Sequence, residues 1–169
     1  MTKEGLIAQF IAACHCFVGV KEERPNGGQM VDLFLKATGL GTGYPWCAAF
    51  LAYVGKLTFS VDQPKTKWPV PLTAACLQIG NWAKKEGVLK EDCEVGDLFL
   101  LHYPSLKRFA HVGVVIAKVP DKPHRYVVID GNTSTTGSRE GWVVAKQERT
   151  INPSAGHRFV RWVDAMQLT

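Results

Sequence analysis

A change of hydrophobic period at Gly96 constrains this chain more than any other feature. Before it, apolar residues recur at helical spacing. After it, they fall into short runs parted by turn residues. Helices first and strands afterwards specify an α+β domain with an antiparallel sheet, since a parallel sheet needs the two to alternate. Leu6, Ile7, Phe10, Ile11, Cys14 and Phe17/Val18 share one face and predict a helix over residues 4–18. The charged stretch from Val20 to Gly28 contains Pro25-Asn26-Gly27-Gly28 and reads as a loop. A second helix is predicted over 28–38, stopped by Gly39. The glycines and proline of Gly39–Pro45 form a tight connection to a third helix, which begins around Trp46-Cys47 and stops at Gly55. Residues 56–72 read as a covering loop, and a fourth helix follows over 73–86, capped by Gly87. Strands are predicted at 97–102, 110–119, 125–130, 142–147 and 157–163, a sheet of about five to six strands. The 169 residues make one domain, 1–169, because a second core would need more chain.

Composition narrows the classes of function. No run approaches the ~18 apolar residues that span a membrane, so membrane insertion is not expected. Met1-Thr2-Lys3-Glu4-Gly5 leads into an amphipathic segment broken by Gln9 and His15, unlike a signal peptide. The expectation is synthesis in the cytoplasm, with another route out if the protein acts outside the cell. Five cysteines (Cys14, Cys16, Cys47, Cys76 and Cys93) are an odd number, which argues for reduced thiols rather than a disulfide framework. The net charge of +5 and pI near 9.0 favour anionic partners such as cell-wall polymers. The basic residues are scattered, with no recognition helix, zinc-finger spacing or aromatic RNA-binding signature, so nucleic acid is not an expected partner.

Three groups of residues have the makings of an active site. Cys47 stands where a Gly/Pro-rich loop meets an apolar helix, and the unpaired N–H groups and dipole of a helix start favour thiolate there. The same N–H groups suit an oxyanion. His111 opens the apolar run His111-Val112-Gly113-Val114-Val115-Ile116, where an imidazole at a strand start could serve as general base. Gly113, two residues on, leaves room for a substrate or helix to come close. His102 ends a strand and is the second candidate base. Asp130-Gly131-Asn132 closes a third apolar run, and Asp130 or Asn132 could orient the imidazole if the two strands are neighbours. A buried structural cysteine, a polar strand end and an Asp-Gly turn would each account for one of these. Their order along the chain is what joins them.

That set resembles the CHAP family, the cysteine/histidine-dependent amidohydrolases and peptidases of the papain-like, NlpC-type superfamily. Gly43-Tyr44-Pro45-Trp46-Cys47-Ala48-Ala49-Phe50 is similar to the family's nucleophile motif. Gly96-Asp97-Leu98-Phe99 with Ala110-His111-Val112-Gly113-Val114-Val115 resembles the second motif. Ile129-Asp130-Gly131-Asn132-Thr133 resembles the third, where members often carry Glu-Gly-Asn. Gly19-Val20-Lys21-Glu22, Asn26-Gly27-Gly28 and Val31-Asp32 resemble members with a helical N-terminal part, so the likeness spans roughly residues 10–150. The resemblance implies a papain-like fold with N-terminal helices on a C-terminal sheet. It also implies hydrolysis of a peptidoglycan amide, as an N-acetylmuramoyl-L-alanine amidase or as a stem or cross-bridge endopeptidase. Cys47 would be the nucleophile, His111 the base and Asp130 the third member, with Asn132 beside it. Because aspartate is one methylene shorter than glutamate, Asn132 remains an alternative orienting residue.

Tyr44, Trp46, Trp68 and Trp142 could line a groove for a sugar-peptide substrate, with Arg139 pairing a stem-peptide carboxylate. Cys14-His15-Cys16 resembles a metal cluster, but residues two apart on a helix point about 200° away from one another, so Cys14 is expected in the core. Asp62, Asp92, Asp97 and Asp121 are scattered and form no calcium loop. No metal and no cofactor are expected. The partner expected is peptidoglycan, acted on by a monomer that arrives as a phage-type lysin after holin-like release or as a toxin delivered by a secretion system. In the toxin case an immunity protein would be a second partner. Two other functions fit the same residues: a papain-like protease, deamidase or acyl transferase acting on protein, and a non-catalytic wall-binding module.

Overall fold

Helices occupy the chain up to Lys85 and strands the chain from Leu89 onward in a computed structural model, which describes residues 2–60, 67–134 and 141–166. The first helix, α1 (Lys3–His15), is started by Thr2, whose hydroxyl accepts the Gly5 N–H at 3.2 Å. Its buried face is Leu6, Phe10 and Cys14, so Cys14 is core as expected, while Cys16 is exposed just beyond the helix. The second helix, α2 (Gln29–Lys36), begins after Gly28 and buries Val31, Phe34 and Leu35. The third, α3 (Cys47–Ser60), is buried all round its first two turns, which makes it the central helix, packed on α1, α2 and the sheet.

Gly55 does not stop α3, contrary to expectation. The indole of Trp68 lies flat against it, where any β-carbon would collide with the ring. A glycine inside a helix costs about 1 kcal/mol, and here the close approach of an aromatic ring offsets it. The fourth helix, α4 (Cys76–Lys85), starts three residues later than predicted. Pro71 and the Thr73 hydroxyl, which accepts the Ala75 N–H at 3.0 Å, keep the preceding residues extended.

The strands are β1 (Leu89–Lys90), β2 (Leu98–Tyr103), β3 (Arg108–Lys118), β4 (Arg125–Thr133), β5 (Val143–Thr150) and β6 (Arg158–Val160). They form one antiparallel sheet in the order β1-β6-β2-β3-β4-β5. The predicted strand at 157–163 is cut short, because Trp162–Ala165 turn as a 3-10 helix that seats Trp162 in the core. Alternation divides the sheet residues between two cores. Leu98, Leu100, Val112, Val114, Ile129, Val144 and Val160 pack under the helices. Phe99, Leu101, Val115, Val128 and Phe159 form a smaller cluster with Cys93 and Ile151 on the other face.

The loop after α1 runs along the sheet and bonds to β5. Gly19 N–H donates to Val144 O, Val144 N–H to Val20 O and Glu22 N–H to Trp142 O, each at 2.8 Å. The loop therefore covers the outer edge of β5 and fixes Glu22 beneath the start of α3.

Candidate active site

Cys47 is the first residue of α3, and its position is fixed through the preceding Trp46. The backbone N–H of Trp46 donates to Asn132 Oδ1 at 3.1 Å, and the Trp46 indole N–H donates to Glu22 Oε1 at 2.7 Å. Gly131 makes the second contact possible, since a β-carbon there would stand 2.7 Å from the Trp46 ring. The thiol is nearly buried and opens onto a cleft of about 770 Å³. Glu22, Asn26 and Tyr44 bound the cleft on one side, Leu72–Cys76 on another, and Arg108, Ala110, His111, Asn132 and Trp142 on the sheet side. The leading N–H groups of an α-helix have no partner within the helix, so the sulfur lies beside donors suited to an oxyanion.

His111 comes to this thiol from β3. It pairs with Leu101 of β2, whereas the ladder between β3 and β4 stops at Val114 and Ile129. Beyond that point Asp130 crosses to the imidazole, and His111 Nε2 donates to Asp130 Oδ2 at 2.6 Å with both side chains buried. Gly113 permits the crossing, because a β-carbon on it would lie 2.6 Å from Asp130 Cβ. The room made by this glycine is thus taken up by Asp130 and Phe99 rather than by a substrate or helix. The other imidazole nitrogen, Nδ1, is left for the sulfur.

Asp130 is itself held on every side. Arg149 Nε donates to Oδ2 at 2.9 Å, and its Nη2 stands 2.6 Å from the same oxygen. Gln147 Nε2 donates to Oδ1 at 3.0 Å, and Arg149 and Gln147 both donate to Thr133 Oγ1, at 2.7 and 3.0 Å. Gln147 is the diagonal neighbour of Asp130 across the β4–β5 ladder, and Arg149, two residues further along the same face of β5, reaches Asp130 with its longer side chain. Aspartate is long enough here because β4 approaches β3 closely and its oxygens are clamped.

The protonation states follow from these contacts. The hydrogen bond from Cys76, together with the imidazole of His111 and a backbone hydrogen bond from Val112, outweighs burial and holds the Cys47 thiol well below the ordinary thiol range. Burial opposes charge on His111, but hydrogen bonds to Asp130 and Cys47 prevail and push it up to about 9. Burial likewise opposes ionisation of Asp130, and the His111 and Arg149 contacts keep it below the usual carboxylate value. The resting pair is thiolate and imidazolium, with an ionised aspartate behind them.

The other residues singled out in the sequence divide sharply. Asn132, with φ of 52°, directs its amide elsewhere than the imidazole; it accepts from Trp46 N–H and donates to Gly141 O at 2.7 Å, tying the nucleophile loop to the Trp142 wall. Tyr44 and Trp142 are 50% and 47% exposed and line the cleft. Trp46 cannot line it, being 0% exposed beneath α2 and α3, where its indole is taken up by Glu22. Nor does Trp68: its ring stacks on Phe10 and Phe59 and meets Trp162 at a tilt, because Gly55 admits it into the helical core. Arg139 lies outside the described residues. His102 faces Phe109, and Gly156 packs against it, away from the cleft.

Sequence reasoning missed Arg149, Gln147, Thr133 and Cys76. The alternation Ala145, Gln147, Arg149 in a strand next to an acidic strand end was the available signal for the first two. Cys76 carried none, since its meaning comes from a fold contact with Cys47 across 29 residues.

Among the described residues, no helix is long and apolar enough to cross a membrane. No family model, curated protein or solved structure matches the chain.

Proposed function

We propose that the protein is a cysteine amidohydrolase acting on peptidoglycan. The observation that carries the reading is the buried chain Cys47–His111–Asp130 at the floor of an open cleft, with the sulfur heading a helix. The thiolate adds to an amide carbonyl, and the oxyanion so formed is met by the N–H groups at the start of α3. The imidazolium Nδ1–H protonates the leaving amine, which departs and leaves a thioester on Cys47. His111, now neutral, takes a proton from water as it attacks the thioester, and the acid is released with the thiolate regenerated. Asp130 holds the ring in orientation and compensates its charge, and Arg149 and Gln147 hold Asp130.

The peptidoglycan assignment rests on the CHAP-like motifs around Cys47, His111 and Asp130, on the basic charge of the chain, and on a cleft walled by the exposed rings of Tyr44 and Trp142. Such rings suit the apolar faces of sugars, and Arg108 supplies a cation for a peptide carboxylate. Delivery to the wall is by release as a lysin or by secretion as a toxin.

Incubation with purified peptidoglycan and, separately, with a protein substrate tests the reading through release of new amino groups. Release from peptidoglycan supports it. Activity on protein alone overturns the substrate, and binding with no release from either overturns catalysis.

A further inference from the structure

The mechanism uses one thiol, yet two meet in the cleft. Cys47 heads α3 and Cys76 heads α4, so the tips of two helices converge and bring their sulfurs to 3.7 Å. Both side chains are nearly buried, both line the cleft, and no disulfide joins them. A disulfide needs about 2.05 Å, so the sulfurs have to approach by about 1.7 Å. The remaining cysteines are placed differently. Cys14 is sealed in the core, Cys93 belongs to the cluster on the far face of the sheet, and Cys16 is exposed at the end of α1, donating to Ala12 O at 3.4 Å.

We propose that Cys47 and Cys76 form a reversible disulfide, with Cys76 as the resolving thiol, that holds the protein inactive under oxidising conditions and protects the nucleophile from irreversible oxidation. Inactivity is meant with respect to the amidohydrolase reading above. The division of labour follows from protonation: Cys47 is held as thiolate, whereas its hydrogen bond to Cys47 and burial hold Cys76 as thiol. A low-pKa thiolate beside a resolving cysteine is the arrangement of thiols that respond to peroxide.

The oxidant is a small peroxide that can enter the cleft. The Cys47 thiolate attacks one oxygen of hydrogen peroxide and the O–O bond breaks. The departing hydroxide takes the proton of the His111 imidazolium and leaves as water, giving a sulfenic acid on Cys47. The Cys76 sulfur then attacks the Cys47 sulfur and the S–O bond breaks. The second hydroxide leaves as water with the Cys76 proton. In sum, two thiols lose two electrons and two protons, and one peroxide becomes two waters. An external thiol reverses the reaction by exchange.

The test uses the reduced full chain, treated with hydrogen peroxide, alkylated and mapped by mass spectrometry. The expected result is loss of two of the five thiols, a mass lower by two hydrogens, and a linked peptide pair containing Cys47 and Cys76. Amino-group release from peptidoglycan is lost in parallel, and dithiothreitol restores both thiols and activity. In Cys76→Ser the same treatment carries Cys47 past the sulfenic acid to sulfinic or sulfonic acid, a gain of two or three oxygens that dithiothreitol does not remove. Sulfinic or sulfonic acid on Cys47 of the unaltered chain in place of the bridge, or a bridge to any other cysteine, overturns the proposal. The bridge is read by mass alone. A chain that bridges but never acts on peptidoglycan defeats the function proposed above, and one that acts on peptidoglycan but never bridges defeats this inference.

Discussion

Gly113→Ala changes no group that takes part in chemistry, yet it should impair catalysis. The added methyl would stand 2.6 Å from Asp130 Cβ, 2.6 Å from Phe99 Cε1 and 2.8 Å from Ile129 O. Carbon atoms rest about 3.5–4.0 Å apart, so something must give by about 1 Å. Phe99 and Asp130 are both fully buried and Ile129 O is backbone, so β4 itself must draw away from β3 and carry Asp130 with it. The 2.6 Å bond to His111 Nε2 then opens to about 3.6 Å, beyond hydrogen-bond reach. Misplacement of about 1 Å costs on the order of 100-fold in rate, and overpacking costs about 1–3 kcal/mol in stability. Two assays separate these effects: kcat for amino-group release at a temperature where the urea curve shows the variant folded, and the pH dependence of Cys47 alkylation by iodoacetamide. The second should move to higher pH, because an imidazolium robbed of Asp130 stabilises the thiolate less. An unchanged kcat with an unchanged alkylation profile would rule out this coupling between Gly113 and the triad.

Activity should also follow the protonation of the pair. The rate rises as Cys47 ionises, at a pH below the ordinary thiol range, and falls as His111 loses its proton near pH 9. A His111 value raised above 6.5 keeps the imidazolium needed by the leaving amine until about 9; a pH–rate profile of kcat checks it. Arg149→Leu leaves the buried Asp130 without its guanidinium and should cost about 3 kcal/mol in urea unfolding, the penalty for removing one partner of a buried pair. Tyr44→Ala and Trp142→Ala should raise KM roughly fivefold each with kcat little changed. Trp46→Ala should instead lower the thermal transition, since that ring serves the core and not the cleft.

The sequence alone revealed the larger divisions of the molecule where one local signal dominated. The switch at Gly96 separates the helices from all of the sheet except its two-residue edge strand β1, and Gly39 and Gly87 follow true helix ends. Gly55 misled because its neighbour in space, Trp68, is thirteen positions away in the chain and fills the room a side chain would occupy. The same limit governs the site. Cys47, His111 and Asp130 could be singled out because each adjoins an apolar run and a nearby glycine, although only Cys47 proves to lie at an element boundary, β3 starting at Arg108 and β4 running on to Thr133. Arg149 and Gln147 act through cross-strand register, and Cys76 through the convergence of two helix tips, and no local pattern encodes either. The choice between Asp130 and Asn132 was likewise beyond sequence, since it depends on how closely β4 approaches β3 at Gly113.

If the Cys47 thiolate cleaves an amide of peptidoglycan, removing the sulfur must abolish cleavage. The decisive measurement is mass spectrometry of peptidoglycan digested in parallel by the unaltered protein and by Cys47→Ala. New fragments are expected from the unaltered protein only: a free lactyl-muramic end with an intact stem peptide if the muramoyl amide is cut, or shortened peptides if the stem or cross-bridge is. The same fragments from Cys47→Ala, or intact peptidoglycan from both, would contradict cysteine catalysis on this substrate.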